Sequence, residues 1–576
     1  MSTSSSSSAV AVSAPQPSGR LAVMTAYAVA AAAIPIPILP DRMLMRVRGA
    51  VVHDIVSRHG LSLTSDARAM LADPDSEQRT RMVKVAETVV RQVLRRLGPL
   101  GVINSVSRGL EVFALGLLLE RYITTVRPSG QVRMHLEEAR KVRGMIDRAA
   151  MRAFSPSLRP GETIMADGLE DLRDELTRWI DAALLTSAAL PSYLERRLEA
   201  AFDHVVTETA AVARASDESR VRKAITRSRR VVIKIGSKSL SGDAWDRLAA
   251  EVAAARAAKR SVVVVSSGAI ALGVTKLGLK SRPKDMAWLQ AAAAAGQSVL
   301  MQRYEDAFGK VGIPVAQVLL THADLADRAR TNNARNALAA LLEAGAVPII
   351  NENDAVAVEE IKFGDNDQLA SMVTPLVEAD LLLLLSDVEG LLDEHHKRVP
   401  FVRSVAREAR HLAFASTSGV GTGGMASKVE AARRATLAGA SVVIAAARDP
   451  QIVARVLAGE DVGTLFAAVS QKLSARKHWI AYTLRPRGAI LVDRGAAEAI
   501  CARQRSILAI GVLGVRGTFV PGDAVAIIDP EGTEIARGLS RLSAGDAARV
   551  ARKKSETDEE DDLVVHRDDL VVLPVE

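Results

Sequence analysis

The chain has 576 residues, 48% hydrophobic and 25% charged, with a formal net charge of +8. That length exceeds one ordinary domain and predicts about three or four, and with aromatics at only 3% the cores must be aliphatic and alanine-rich. The single cysteine, Cys501, excludes internal disulfides and a cysteine-based zinc cluster and fits a reducing, cytoplasmic compartment, while the small positive surplus permits contact with phosphates, nucleic acid or anionic lipid without requiring it.

Residues 1–20 are serine-rich and predict a disordered, low-complexity head. Residues 21–40 carry no charge and are about as long as a membrane span, but the middle is alanine-heavy and Pro35, Pro37 and Pro40 interrupt the end. This reads as a buried or interfacial helix that stops at the prolines, rather than as a span or a signal sequence. Helical periodicity then dominates to about residue 226. Val85, Val89, Val93 and Leu97 recur every four residues, and Gly98-Pro99 stops that helix. Similar stripes run through Leu169, Leu172, Leu176 and Ile180, and through Leu194, Leu198, Phe202 and Val206. Residues 21–225 are therefore expected to form an autonomous all-α region with an ordinary core and no legible chemistry. Lys84, Arg91 and Arg95 lie off the first stripe, where solvation accounts for them and an anionic membrane surface or an acidic partner is the alternative.

At Arg229 the texture changes. The apolar runs "RVVIKIG", "SVVVVSSG", "IPVAQVLL", "AVPIIN", "DLLLLLSD" and "ASVVIAAA" alternate with helical segments. Runs that are apolar throughout, with helices between them, predict an α/β fold: a mainly parallel sheet sandwiched by helices, over residues 229–482. Residues 485–572 hold short strands with turn signals at Pro521-Gly522 and Asp529-Pro530, and predict a small, separate β-rich domain.

In such a sheet, ligands bind beyond the carboxyl ends of the strands. Lys234 lies inside the first run, and an ammonium there calls for an anion, because burying it alone is costly. The turns after the runs supply Gly236 and Ser237, then Ser266, Ser267 and Gly268, then Asn351, Asn353, Asp354, Asp365, Asn366 and Asp367, and then Ser386 and Asp387. A later glycine-rich stretch, "GVGTGGMASK", ends at Lys428. Glycines admit phosphate oxygens to backbone N–H groups, and the two lysines stand beside two such turns. Each turn alone is weak. "GTGGMASK" fits neither the Walker A nor the dinucleotide pattern, Asp365 and Asn366 read equally well as a helix cap, and His395-His396 reads as a solvated loop.

Together the motifs "VVIKIGSKSL", "VVVVSSGAIALG", "PIINENDAVAVEEIKFGDNDQLAS", "LLLLSDVEGL", "GVGTGGMASKVEAA" and "VVHRDDLVVL" resemble the glutamate 5-kinases of the amino-acid kinase family that carry a C-terminal PUA domain. The resemblance implies ATP-dependent phosphorylation of the L-glutamate γ-carboxylate, the first step of proline synthesis, with Mg²⁺. It implies that Lys234 and Lys428 neutralise the transferring phosphoryl group and that Asp367 organises the lysines or magnesium. Ser267, Asp354 and Asn366 would hold glutamate. Gly236, Ser386, Asp387 and the stretch Thr422, Gly423, Gly424, Met425, Ala426, Ser427 and Lys428 would hold ATP. Proline as feedback inhibitor, a separate glutamyl phosphate reductase and a homo-oligomer are implied partners. Lys238, Gln368 and "GLLDEHHKR" depart from the family's commoner residues, the last on the adenine side. Two alternatives stay open: another acceptor such as acetylglutamate or aspartate, and an RNA-binding protein with a degenerate kinase core.

Overall fold

In the computed structural model, which describes residues 19–32, 39–72, 100–127, 133–154, 192–356, 365–415, 424–469, 473–553 and 563–573, all six apolar runs are strands of one sheet. After β1 (Ser62–Leu63) and β2 (Arg133–Met134), which form a separate parallel pair, they are β3 (Arg230–Ile235), β4 (Ser261–Ser266), β5 (Val315–Leu320), β6 (Val347–Glu352), β7 (Leu381–Ser386) and β9 (Ser441–Ala446). The order across the sheet is β5-β6-β4-β3-β7-β9-β10-β8. The first six strands named are parallel throughout. Two short strands escaped the sequence reading: β8 (Phe401–Val402), and β10 (Thr464–Phe466), which runs antiparallel to β9. Runs of two and three residues carry no period that a sequence pattern can show.

Strand β3 is central. The chain leaves it toward β4 on one side and returns as β7 on the other, so the crevice at its carboxyl end is the switch point of the sheet. Alternation along β3 sends Val231, Ile233 and Ile235 to one core with Leu248 and Val252 of the helix Ala244–Ala257 and Leu300 and Phe308 of the helix Met286–Gly309. Val232 faces the other core, built from Leu369 and Val373 of the helix Asp365–Leu376 and Val429 and Ala432 of the helix Gly424–Leu437. The period of two puts Lys234 on that second face, beneath the same two helices.

The chain divides into two compact units, Met1–Ala215 and Ser216–Glu576. The helix Ser192–Ile225 passes from one to the other, and Ile225 at its end is buried in the same core as Ile233. The second unit thus includes the end of this helix, ahead of the first strand.

In the first unit the helix Gly19–Ala32 buries Leu21, Thr25, Ala28 and Ala31 and exposes Val23 and Tyr27, so Gly19 and Arg20 already belong to a helix. Among the described residues no helix is long and apolar enough to cross a membrane. Leu198 and Phe202 are buried as their stripe requires, whereas the stripes at 85–97 and 169–180 lie outside the described residues. The core also holds charge. Arg48 and Arg143 share Glu111 Oε1, each at 3.3 Å, and donate to Ala72 O and Leu71 O at the end of the helix Ser65–Ala72. Two guanidinium groups thus cap carbonyls that a helix end leaves unpaired. Each of these residues reads in sequence as an ordinary solvated charge.

The C-terminal β-rich region forms a five-stranded sheet, β13 (Val512–Gly517), β11 (Gly488–Val492), β14 (Ala524–Ile528), β15 (Glu534–Leu539) and β17 (Leu570–Val572), with β12 (Ile507–Leu508) paired to β16 (Leu563–Val565) beside it. The stretch after β11 is the helix Arg494–Arg503, begun by Asp493, whose side chain accepts the Ala496 N–H.

The turn after β4 is braced by the helix Ala269–Lys276, which lies directly on Met286–Gly309. A Cβ at Gly273 would stand 1.7 Å from Ala292 O, and one at Gly296 would stand 1.8 Å from Ala269 O. Both obstacles are backbone, so neither can swing aside. Gly273→Ala and Gly296→Ala are each expected to destabilise the second unit by on the order of 3 kcal/mol, read as a lower urea midpoint. An unchanged midpoint would show that the two helices separate at no cost.

Candidate active site

Asp367 sits in the first turn of the helix Asp365–Leu376 and is 1% exposed. The helix begins at Asp365, so Asp365 and Asn366 are its first residues and not a cap before it. Lys234 Nζ lies 2.6 Å from Asp367 Oδ1, and Lys428 Nζ donates to Oδ2 at 3.1 Å. Ser427 Oγ donates to the same Oδ2 at 3.0 Å, and Lys428 also donates to Gly424 O at 3.2 Å across the first turn of its own helix. One carboxylate therefore joins the central strand to both helices of that face. Burial by itself would raise the Asp367 carboxyl, but the two ammonium groups outweigh it and hold the acid below its ordinary range. Burial pushes Lys234 below the ordinary lysine value, against the pull of Asp367.

The second group surrounds Asn366. Its Nδ2 donates to Ser267 Oγ at 2.8 Å, to Ser266 O at 3.2 Å and to Asn351 Oδ1 at 3.2 Å. Asn351 donates in turn to Gln297 Oε1 at 2.9 Å, and Gln297 to Gln317 Oε1 at 3.0 Å. Tyr304, fully buried, donates to Ser266 Oγ at 2.8 Å. With three acceptors on Nδ2 the amide orientation is determined, and Asn366 Oδ1 is buried with no hydrogen-bond partner. Gln297, Gln317 and Tyr304 are given no role in the sequence analysis, because a polar residue inside a strand or helix does not announce its partner. Gln297 follows Gly296, the residue at which the two helices touch, and this contact brings it to Asn351.

The remaining residues line the same strand ends. Asp354 is half-buried in the turn after β6. At the end of β7, Ser386 Oγ donates to Asp387 Oδ1 at 3.0 Å, which holds the Asp387 carboxyl low, with Lys238 and Lys428 adding to the effect. Gly236 has an ordinary backbone, and a Cβ there would meet nothing within 4 Å, so the space beside it is open. The turn that requires glycine is Gly268, at φ 118°, packed on Ser237. Gly424, Met425, Ala426, Ser427 and Lys428 form the first turn of the helix Gly424–Leu437, while Thr422 and Gly423 lie outside the described residues.

This is a cation-lined crevice at the switch point of a parallel sheet, the arrangement of an enzyme that handles phosphates. Residues 229–446 match the amino acid kinase family, and residues 488–558 match the PUA domain. A glutamate 5-kinase from Trichlorobacter lovleyi is 47% identical over 364 residues, covering 60% of this chain and 97% of that protein. Another, from Myxococcus xanthus, is 48% identical over 371 residues, covering 61% and 98%. A solved carbamate kinase from Giardia lamblia bound to AMP-PNP is 18% identical and aligns over 42% of this chain and 100% of its own, with a TM-score of 0.33. The chain belongs to the glutamate 5-kinase family of amino acid kinases. The family matches begin at residue 229, so the unit Met1–Ala215 lies outside them.

Removing the shared carboxylate leaves the buried Lys234 ammonium facing that of the half-buried Lys428. Asp367→Asn is expected to destabilise the second unit by about 3 kcal/mol at neutral pH, because uncompensated buried charge is what a broken pair leaves behind. The depressed folded-state value of Asp367 sets the sign of the pH effect. Its contribution is complete above the ordinary carboxylate range and is lost as pH falls through the lowered value. Urea midpoints of wild type and Asp367→Asn should therefore converge in acid and diverge toward neutrality. Parallel curves would show that the pair does not titrate with folding.

Proposed function

We propose that the chain transfers the γ-phosphoryl group of ATP to the γ-carboxylate of L-glutamate, forming γ-glutamyl phosphate, the first step of proline synthesis. The observation that carries this reading is the pair of lysines held on Asp367 at the switch point, next to a buried amide with an unused acceptor. The nucleophile is a carboxylate, ionised at neutral pH since its ordinary pKa is about 4.3, so no general base is needed. Catalysis reduces to positioning and to neutralising charge on the group in flight.

Lys234 and Lys428 supply that charge from the strand and from the helix start. Their common partner keeps both in place before the nucleotide arrives, which is the preorganisation that electrostatic stabilisation demands. The open space beside Gly236 suits a phosphate, and Ser386, Asp387 and the helix start from Gly424 to Lys428 suit the rest of the nucleotide. On the other side Ser267 and Asn366 face the amino acid. Asn366 Oδ1 is an acceptor suited to the substrate ammonium, with Asp354 as its counter-charge. Of the two roles that the resemblance offers Asp367, the geometry supports organiser of the lysines, since both its oxygens are engaged. Among the described residues no group of three or more His, Cys, Asp or Glu is arranged for a metal, so magnesium would be held chiefly on the ATP phosphates. There it would neutralise phosphate charge. Proline, the pathway's end product, would compete at the glutamate pocket.

Purified protein with ATP, Mg²⁺ and a panel of acidic amino acids, with acyl phosphate trapped by hydroxylamine, should give hydroxamate with L-glutamate and much less with aspartate or N-acetylglutamate. Equal activity with N-acetylglutamate would overturn the assignment. Lys234→Ala and Lys428→Ala should each lower kcat by about a hundredfold or more, while Asp354→Ala should act mainly on the glutamate KM. Near-normal kcat in Lys234→Ala would leave that lysine a structural role only. Millimolar proline should raise the apparent KM for glutamate, and kinetics indifferent to it would remove the competition.

A further inference from the structure

The end of the helix Ser192–Ile225 does more than connect. Its residues from Ser216 onward belong to the kinase-containing unit, and Arg222 there is 8% exposed. Its guanidinium donates to Glu218 Oε1 at 2.8 Å, Glu460 O at 2.6 Å, Pro400 O at 3.2 Å and Asp461 Oδ1 at 2.8 Å. One planar fork thus ties together two segments distant in sequence, those entering β8 and β10. The helix is seated closely on the second: Gly459, at φ +79°, could carry a Cβ only 3.0 Å from Arg222 O. One turn earlier, Asp217 pairs with Arg403.

Both segments hold the hairpin that leaves the crevice after Asp387. Asp461 Oδ1 also accepts from Arg398 Nη1 at 2.9 Å, and Arg398 bridges to Leu392 across the hairpin. Val399 N–H donates to Leu391 O at 2.8 Å. Thr464 Oγ1, next in line on β10, accepts from Leu391 N–H at 2.9 Å and donates to Val399 O at 2.6 Å. The hairpin is therefore clamped from behind by Asp461 and Thr464, and Arg222 clamps Asp461. This segment is also the "GLLDEHHKR" stretch that departs from the family pattern.

We infer that Arg222 is a positioning residue for the nucleotide side of the site: through Asp461 and Pro400 it fixes the hairpin of residues 391–399 and with it the wall that follows Asp387. A helix that begins in the additional unit ends as a buttress of the kinase. The inference rests on the proposed kinase reading for its kinetic consequence and on the hydrogen bonds alone for the clamp. A lysine supplies a single ammonium and cannot span three acceptors on two segments, so the guanidinium is specifically required.

The test uses the full chain. Arg222→Ala is expected to raise the ATP KM, and the ATP Kd by calorimetry, by roughly three- to tenfold, with kcat and the glutamate KM within about twofold. Arg222→Lys should recover part of that loss, and Lys223→Ala, at an exposed lysine on the same helix, should change nothing. In hydrogen exchange, the Leu391 and Val399 amides should lose protection in Arg222→Ala while those of β3 keep it. Asp461→Ala removes the other half of the clamp and should show the same pattern if Arg222→Ala does not fold. Unchanged ATP affinity together with unchanged exchange at Leu391 and Val399 would overturn the inference. So would equal losses in β3 and the hairpin, the mark of a merely structural residue. A wild-type protein without kinase activity would instead refute the kinase reading, and the calorimetry and exchange would still decide whether the clamp exists.

Discussion

Asp367 is the point on which the site depends. A buried carboxylate without a partner would be protonated, and the buried Lys234 ammonium beside a second lysine is costly without a counter-ion. With Lys234 on one oxygen and Lys428 and Ser427 on the other, the three charges become mutually tolerable within a dry core. Because each member comes from a different element, the cluster also locks β3, the helix Asp365–Leu376 and the helix Gly424–Leu437 into one arrangement. Their apolar faces, from Val232 through Leu369 to Val429, form a single core beneath it.

That arrangement separates the crevice into two chemically distinct sides. On one side stand Lys234 and Lys428, with open space beside the backbone at Gly236. On the other side neutral amides and hydroxyls form a hydrogen-bonded series from Gln317 to Asn366, ended by a buried acceptor without a hydrogen-bond partner. Amide series of this kind hold direction better than charge does, since each member has one donor end and one acceptor end. The backbone contact between Gly273 and Gly296 keeps the series in register, because it holds Gln297 against Asn351.

The additional helical unit follows a different logic. Its own core is aliphatic, with two arginines drawn inside to satisfy the end of the helix Ser65–Ala72. Its last helix leaves that core and becomes part of the kinase, where Ile225 contributes apolar surface and Arg222 contributes hydrogen bonds. The polar composition before Arg229 does not reveal this docking, since Arg222 and Asp217 are themselves polar.

Much of the molecule was legible in the residues alone. The six apolar runs identified the parallel sheet because a strand buried on both faces has no choice but to be apolar throughout. Lys234 stood out for breaking that rule. The glycine-rich and acidic turns located the crevice because topology puts strand ends on one side. What the sequence could not hold was partnership. That one aspartate serves both lysines, that Gln297 and Gln317 support Asn366 and that Arg222 reaches Asp461 depend on residues between 15 and 239 positions apart meeting at hydrogen-bond distance. Side-chain polarity is written in the chain, but which polar groups satisfy one another is decided by packing. Only the folded core, by excluding water, makes each of them need its particular partner.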